Sequence, residues 1–241
     1  MGTWKPGSAL AIFCAATLSA CIPEGPPTRE NTAPTLGPSG SASTQAAAVT
    51  DFEDRFERED LGPNYNALSS AWRIEQGRLC ARDAKNNGVW LVRPLAKNAR
   101  IEFDAIAESS DGDLKAELWG DGRTGATGVS YNNATSYVVV LGGWKNSRHV
   151  LARLDEHGRD RLEIAVAPGS DDERARPVAV GQAYHFVVER SNGRTITARI
   201  DGVTYFEFDD PQPLEGSGHD HFGFNEWQAP ACFDNLKVKS L

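Results

Sequence analysis

From Phe52 to Leu241 the chain is a succession of short apolar segments that alternate inward and outward and are cut by glycine-containing turns. The clearest runs from Arg100 to Glu108, where Ile101, Phe103, Ala105 and Ala107 fall on one face and Glu102, Asp104 and Glu108 on the other. A period of two places a residue on a half-buried strand, because successive side chains point to opposite faces. Gln76-Gly77, Asn192-Gly193 and Asp201-Gly202 stand between such runs. Dipeptides of this kind supply the left-handed backbone that a tight hairpin needs. Further strands are read at 71–75, 78–82, 89–93, 114–119, 136–141, 149–154, 184–190, 195–200, 204–208, 221–225 and 233–238. About a dozen strands at hairpin spacing, with no long helical pattern and no fixed-period repeat, predict an antiparallel all-β sandwich or jelly roll across 51–241.

The first fifty residues follow different rules. Lys5 precedes an apolar stretch, Ala9 to Ala16, of the length of a secretory signal and too short to span a bilayer. Leu18-Ser19-Ala20-Cys21 resembles the bacterial lipobox. That resemblance implies cleavage after residue 20 and lipid modification of Cys21. Two or more acyl chains hold a protein stably on a membrane, at ~0.8 kcal/mol per buried methylene. Ile22 after the cysteine implies the outer membrane under the familiar sorting rule. Residues 21–50 are mostly Pro, Gly, Ser, Thr and Ala, a composition that cannot offset its ordering entropy, and are read as a disordered tether.

Of 241 residues, 40% are hydrophobic and the net charge is −8, which becomes −9 once Lys5, the only charge in 1–20, is removed. An acidic surface repels phosphate backbones and anionic lipid, so nucleic acid is excluded as partner and membrane contact is assigned to the lipid anchor alone. With Cys14 in the signal and Cys21 lipidated, Cys80 and Cys232 remain in an oxidising compartment. A disulfide between them would close a loop of roughly 150 residues, worth up to about 4–5 kcal/mol on the chain-entropy model. Two separate buried thiols are the alternative.

Several segments taken in order resemble concanavalin A-like lectin/glucanase domains. They are Asp54-Arg55-Phe56-Glu57-Arg58 with Leu61-Gly62, Trp72 to Leu79, Gly181 with Tyr184 and Phe186, the Asn192-Gly193 and Asp201-Gly202 turns, Gly218 to Phe224, and Phe233 to Val238. The resemblance covers about 51–241 and implies two curved sheets with adjacent terminal strands, an adjacency that a Cys80–Cys232 bridge also needs. It further implies a structural Ca²⁺ held near the termini by Asp54 and Asp234, although two carboxylates under-fill a six- to eight-oxygen shell. The superfamily includes lectins, hydrolases, lyases and structural modules, so fold alone does not decide function.

Glu102-Phe103-Asp104 to Glu108 resembles the acidic strand of family 16 glycoside hydrolases. On an ideal strand, however, Glu102 and Glu108 would lie about 20 Å apart, against the 5–5.5 Å of a retaining pair. No catalytic residue is therefore assigned. His219 and His221 alternate as two metal ligands would, but without a third. Polar and aromatic residues gather at strand ends: Trp119, Asp121, Trp144, Asn146, His221, Asn225 and Trp227. Flat aromatic faces and amide or carboxylate groups suit sugars, so these seven are the expected ligand residues, on a concave sheet. The same residues also suit core rims and turns. The reading is a monomeric, lipid-anchored envelope protein that binds carbohydrate or another extracellular polymer without turning it over. The alternatives are a hydrolase or polysaccharide lyase on that sheet, and an envelope-interaction module with no small ligand.

Overall fold

The computed structural model describes residues 51–241; the expected lipid site Cys21, signal segment and tether lie outside the described residues. The domain is a two-layer antiparallel sandwich, as the alternation predicts. The first sheet contains β1 (Phe52–Asp54), β3 (Arg73–Glu75), β4 (Arg78–Ala81), β6 (Ala99–Ala107), β11 (Ala183–Arg190), β12 (Thr195–Ile200), β13 (Val203–Asp209) and β15 (Ala231–Ser240). Its order is β13-β12-β11-β6-β15-β4-β3, with β1 also paired to β15. The second sheet contains β2 (Tyr65–Ala67), β5 (Val89–Leu91), β7 (Leu114–Gly120), β8 (Tyr137–Gly142), β9 (Arg148–Arg153), β10 (Leu162–Ala165) and β14 (His221–Asn225), in the order β10-β9-β8-β7-β14-β5-β2. Strands β1, β2 and β10, three to four residues long, are not among the strands read from the sequence.

Two hairpins form as their turns dictate. Gln76-Gly77 and Asp201-Gly202 both have two consecutive left-handed residues, the backbone whose twist matches that of the flanking strands. Every other residue of β6 is buried, and Phe103 stacks on Phe186 of its own sheet at 4.7 Å and meets Phe224 of the other sheet edge-on at 5.2 Å. Phe224 in turn stacks on Phe233 at 4.3 Å. These rings join the layers at the centre of the core. Cys80 and Cys232 are direct partners of β4 and β15 and form a disulfide. The C-terminal strand is thus fixed to the first hairpin both by pairing and by a covalent bond.

Candidate functional site

On the second sheet, β7 turns Leu114, Ala116 and Leu118 into the core, which leaves Lys115 and Glu117 on the outer face. That face is not open to water: both residues are buried. The loop from Asp121 to Ser136 folds back across it. Tyr131 donates its hydroxyl to Glu117 at 2.9 and 3.0 Å, Ser136 donates to Glu117 at 2.6 Å, and Asn225 donates its amide to the same carboxylate. Tyr131 packs with Val138, Val140, Val150 and Ala152 in a second, smaller apolar cluster beneath the loop. Burial pushes the Glu117 carboxyl up to about 7, although Ser136, Asn225, Tyr131 and the Lys115 charge pull the other way.

Beside the loop lies a cavity of about 300 Å³, lined among others by Asn86, Asp111, Asp113, Lys115, Trp144, Glu156, His157 and Trp227. Lys115 is the floor. Its ammonium contacts Glu156 Oε1 at 2.7 Å, Asn86 Oδ1 at 2.8 Å and Asp113 Oδ2 at 3.5 Å. Burial works against this charge, but Asp113, Glu156 and Glu117 more than offset it and hold the proton on. Because both carboxylate oxygens touch one nitrogen, they are no farther apart than about 6 Å.

Each wall is pinned from below. Glu226 Oε2 accepts the Ala84 N–H at 2.6 Å, and the main chains of Lys85 and Asn86 pair with Trp227 and Glu226, which sets Asn86 over the floor. Burial and the Asp113 charge push the Glu226 carboxyl up to about 7, against the Ala84 and Asp83 N–H groups and the Lys115 charge. The opposite wall is the turn Gly143–Asn146 between β8 and β9, where Trp144, Lys145 and Asn146 take φ of 52, 57 and 58°. Three successive left-handed residues that are not glycine are costly, about 1–2 kcal/mol each for ordinary side chains. Asn146 holds them: it donates to Ser110 O and Val178 O and accepts from Val178 N. Strain of this kind persists where the surroundings over-determine it. Here it carries Trp144 to the cavity, with the Arg161 and Arg148 guanidiniums over its ring and His157 edge-on at 5.4 Å. The half-buried Trp227 has no aromatic or cationic stacking partner among the described residues.

Of the seven expected ligand residues, Trp144 and Trp227 therefore line the cavity. The others are placed elsewhere. Trp119 is fully buried between the sheets, with its indole N–H on Ala96 O and the Arg190 guanidinium 4.1 Å from its ring. Strict alternation would set it outward with Lys115 and Glu117. A bulge opposite His221 and Phe222, with Trp119 left-handed, turns it inward beside Leu118. Asp121 accepts from the Arg123 and Thr124 N–H groups and the Thr124 hydroxyl, so it shapes the covering loop. Asn146 is engaged as described, and Asn225 is buried against Glu117. His221 pairs with Asp220, and His219 with Thr135 O, so the two imidazoles serve different partners. Glu102 lies on β6 of the other sheet and Glu108 just past its end, in ion pairs with Arg100 and Arg82.

The residues do not fit the expected Ca²⁺ site. Both oxygens of Asp54 are occupied by the Phe56 N–H, two nitrogens of Arg58 and the Tyr65 hydroxyl. Burial pushes this carboxyl up, but those partners overcome it and hold it below the ordinary range. Asp234 stands near Asp104 and Glu57, and its carboxyl is raised by burial and by those charges. Among the described residues no group of three or more His, Cys, Asp or Glu is arranged to hold a metal. Lys115, Asn86, Asp113 and Glu156 were not legible as a site. A charged residue on a strand reads as solvent-facing unless the loop that covers it is known.

No family model and no curated protein matches the chain. Solved structures do. The fold is similar to that of the carbohydrate binding module CBM66 from Bacillus subtilis, with TM-score 0.53 and 16% identity over 73% of this chain and 96% of that one. It is also similar to the carbohydrate recognition domain of Emp47p, with TM-score 0.57 and 11% identity over 83% and 99% of the two chains. A sialidase matches with TM-score 0.51 and 15% identity over 73% of this chain but 17% of its own length. At these identities the likeness shows the fold alone, a two-sheet jelly-roll sandwich.

Proposed function

We propose that the domain binds carbohydrate in the cavity between Trp144 and Trp227 and does not turn it over. One observation carries the reading. An aromatic ring free to stack stands beside a floor of buried, fixed hydrogen-bond acceptors, in a space of about 300 Å³. A sugar has an apolar C–H face for the ring and hydroxyls for the carboxylates. Lys115 holds Asp113 and Glu156 in place before any ligand arrives, so little is lost to ordering on binding. Calorimetric titration with a panel of oligosaccharides tests this. At least one glycan should bind, and Trp227→Ala should weaken it by tenfold or more. Absence of binding to every glycan favours the envelope-interaction module.

The same floor favours hydrolysis as a second reading, because two carboxylate oxygens lie within about 6 Å of each other, near the spacing of a retaining pair. Release of reducing ends from a bound glycan, abolished in Glu156→Gln, would establish it. We further propose that the chain is exported and held at the cell envelope, in the outer membrane, through lipid on Cys21, and that it acts as a monomer. Replacement of Cys21 by Ser should move the protein from the membrane to the soluble fraction; an unchanged distribution would refute the anchor.

A further inference from the structure

Resting on the carbohydrate reading, the geometry points to a ligand without acidic groups: we infer that the cavity takes uncharged sugar units and rejects uronates and sulfated sugars. The argument is one of donors. An ammonium has three hydrogens, and those of Lys115 face three acceptors, Glu156 Oε1, Asn86 Oδ1 and Asp113 Oδ2. The lysine side chain is 2% exposed. The one cation on the floor is therefore already engaged by three protein acceptors before a ligand carboxylate or sulfate arrives.

The remaining atoms there are acceptors. Among the described residues Asp113 Oδ1 receives no hydrogen bond, and His157 Nε2 stands 3.9 Å from Glu156 Oε2. Asp111 adds a third carboxylate to the lining, against Lys145, whose side chain is exposed at the rim. Arg148 and Arg161, which stand over Trp144, share Glu163 between them. A hydroxyl can donate to the two unoccupied oxygens. A carboxylate or sulfate in the same place would put like charges together with water excluded, where repulsion is strongest. Selectivity of this kind comes from what the site refuses as much as from what it holds.

Matched polymers test the inference. Soluble glucan, mannan and galactan oligomers are each paired with the same oligomer oxidised to the carboxylate at C6, and binding to the full chain is measured by calorimetry at low and at moderate salt. In whichever pair binds, the neutral member should be favoured by at least tenfold, and most of that preference should survive the rise in salt, because charges shielded from water are screened weakly. Asp113→Asn removes one floor charge while keeping an acceptor oxygen; it should weaken the neutral member less than it favours the acidic one, so that the preference shrinks severalfold. Equal or tighter binding of the acidic member overturns the inference and leaves the carbohydrate reading standing. Failure of every pair to bind overturns the carbohydrate reading itself and, with it, this inference. A neutral preference unchanged in Asp113→Asn would also overturn it, because the discrimination would then not come from the floor.

Discussion

Glu117 offers a quantitative test of how the covering loop is held. Its carboxyl is fully buried and takes up its proton near pH 7 in the folded protein, against an ordinary value of 4.5. At 1.36 kcal/mol per pH unit, the fold is stabilised by up to about 3 kcal/mol while the group is protonated. Because the value is raised on folding, that contribution is complete below about pH 4.5 and is lost as the pH climbs through 7. Glu117→Gln keeps the shape and removes the charge. Asn225 has an amide oxygen with no partner, so a turn of its amide lets that oxygen accept from the new Gln N–H while Tyr131 and Ser136 donate to the Gln oxygen. The attraction between Glu117 and Lys115, which the substitution removes, is already contained in that raised value. The variant should therefore be more stable than the parent by up to about 3 kcal/mol at pH 8 and by no more than about 1 kcal/mol at pH 5. Urea denaturation at both pH values measures this. Glu226 titrates in the same range in both proteins and cancels in the difference. A variant less stable than the parent at pH 8, or a difference that does not change with pH, would refute the assignment.

Two further outcomes follow from the packing. Asn146→Ala removes three hydrogen bonds from the left-handed turn and should cost about 2–3 kcal/mol in denaturant melts, with glycan affinity falling more than tenfold as Trp144 loses its fixed position. Retained affinity would show that the turn does not position the site. Trp119→Ala should destabilise by about 3–5 kcal/mol yet leave the affinity of the folded protein unchanged, because the ring lies between the sheets. Weakened binding by well-folded protein would mean that Trp119 contributes to the site after all.

Where a rule acts locally, the sequence predicts the structure. Alternation across 100–108 and the glycine turns at 76–77 and 201–202 place their strands and hairpins, because twist and side-chain period are properties of neighbouring residues. The site is different. Trp119 follows Lys115 and Glu117 at the same spacing, and one extra residue at a bulge reverses its face. Glu117 looks like a solvent residue until Tyr131, brought back by a loop, covers it, and Lys115 until Asn86 and Glu156 meet its ammonium. Trp144 and Trp227 were legible as aromatics at strand ends. That they line one cavity depends on a left-handed turn and on Glu226 holding a distant loop, contacts that no local pattern announces.

The most direct measurement follows the indole N–H signals of the tryptophans by NMR during addition of the glycan that binds best. The signals of Trp144 and Trp227 should move with ligand, while those of Trp72, Trp90 and Trp119, buried with their N–H groups on Asn87 O, Thr124 O and Ala96 O, should stay in place. Saturable binding that leaves Trp144 and Trp227 unmoved would contradict the account, because the ligand would then sit somewhere other than the cavity above Lys115.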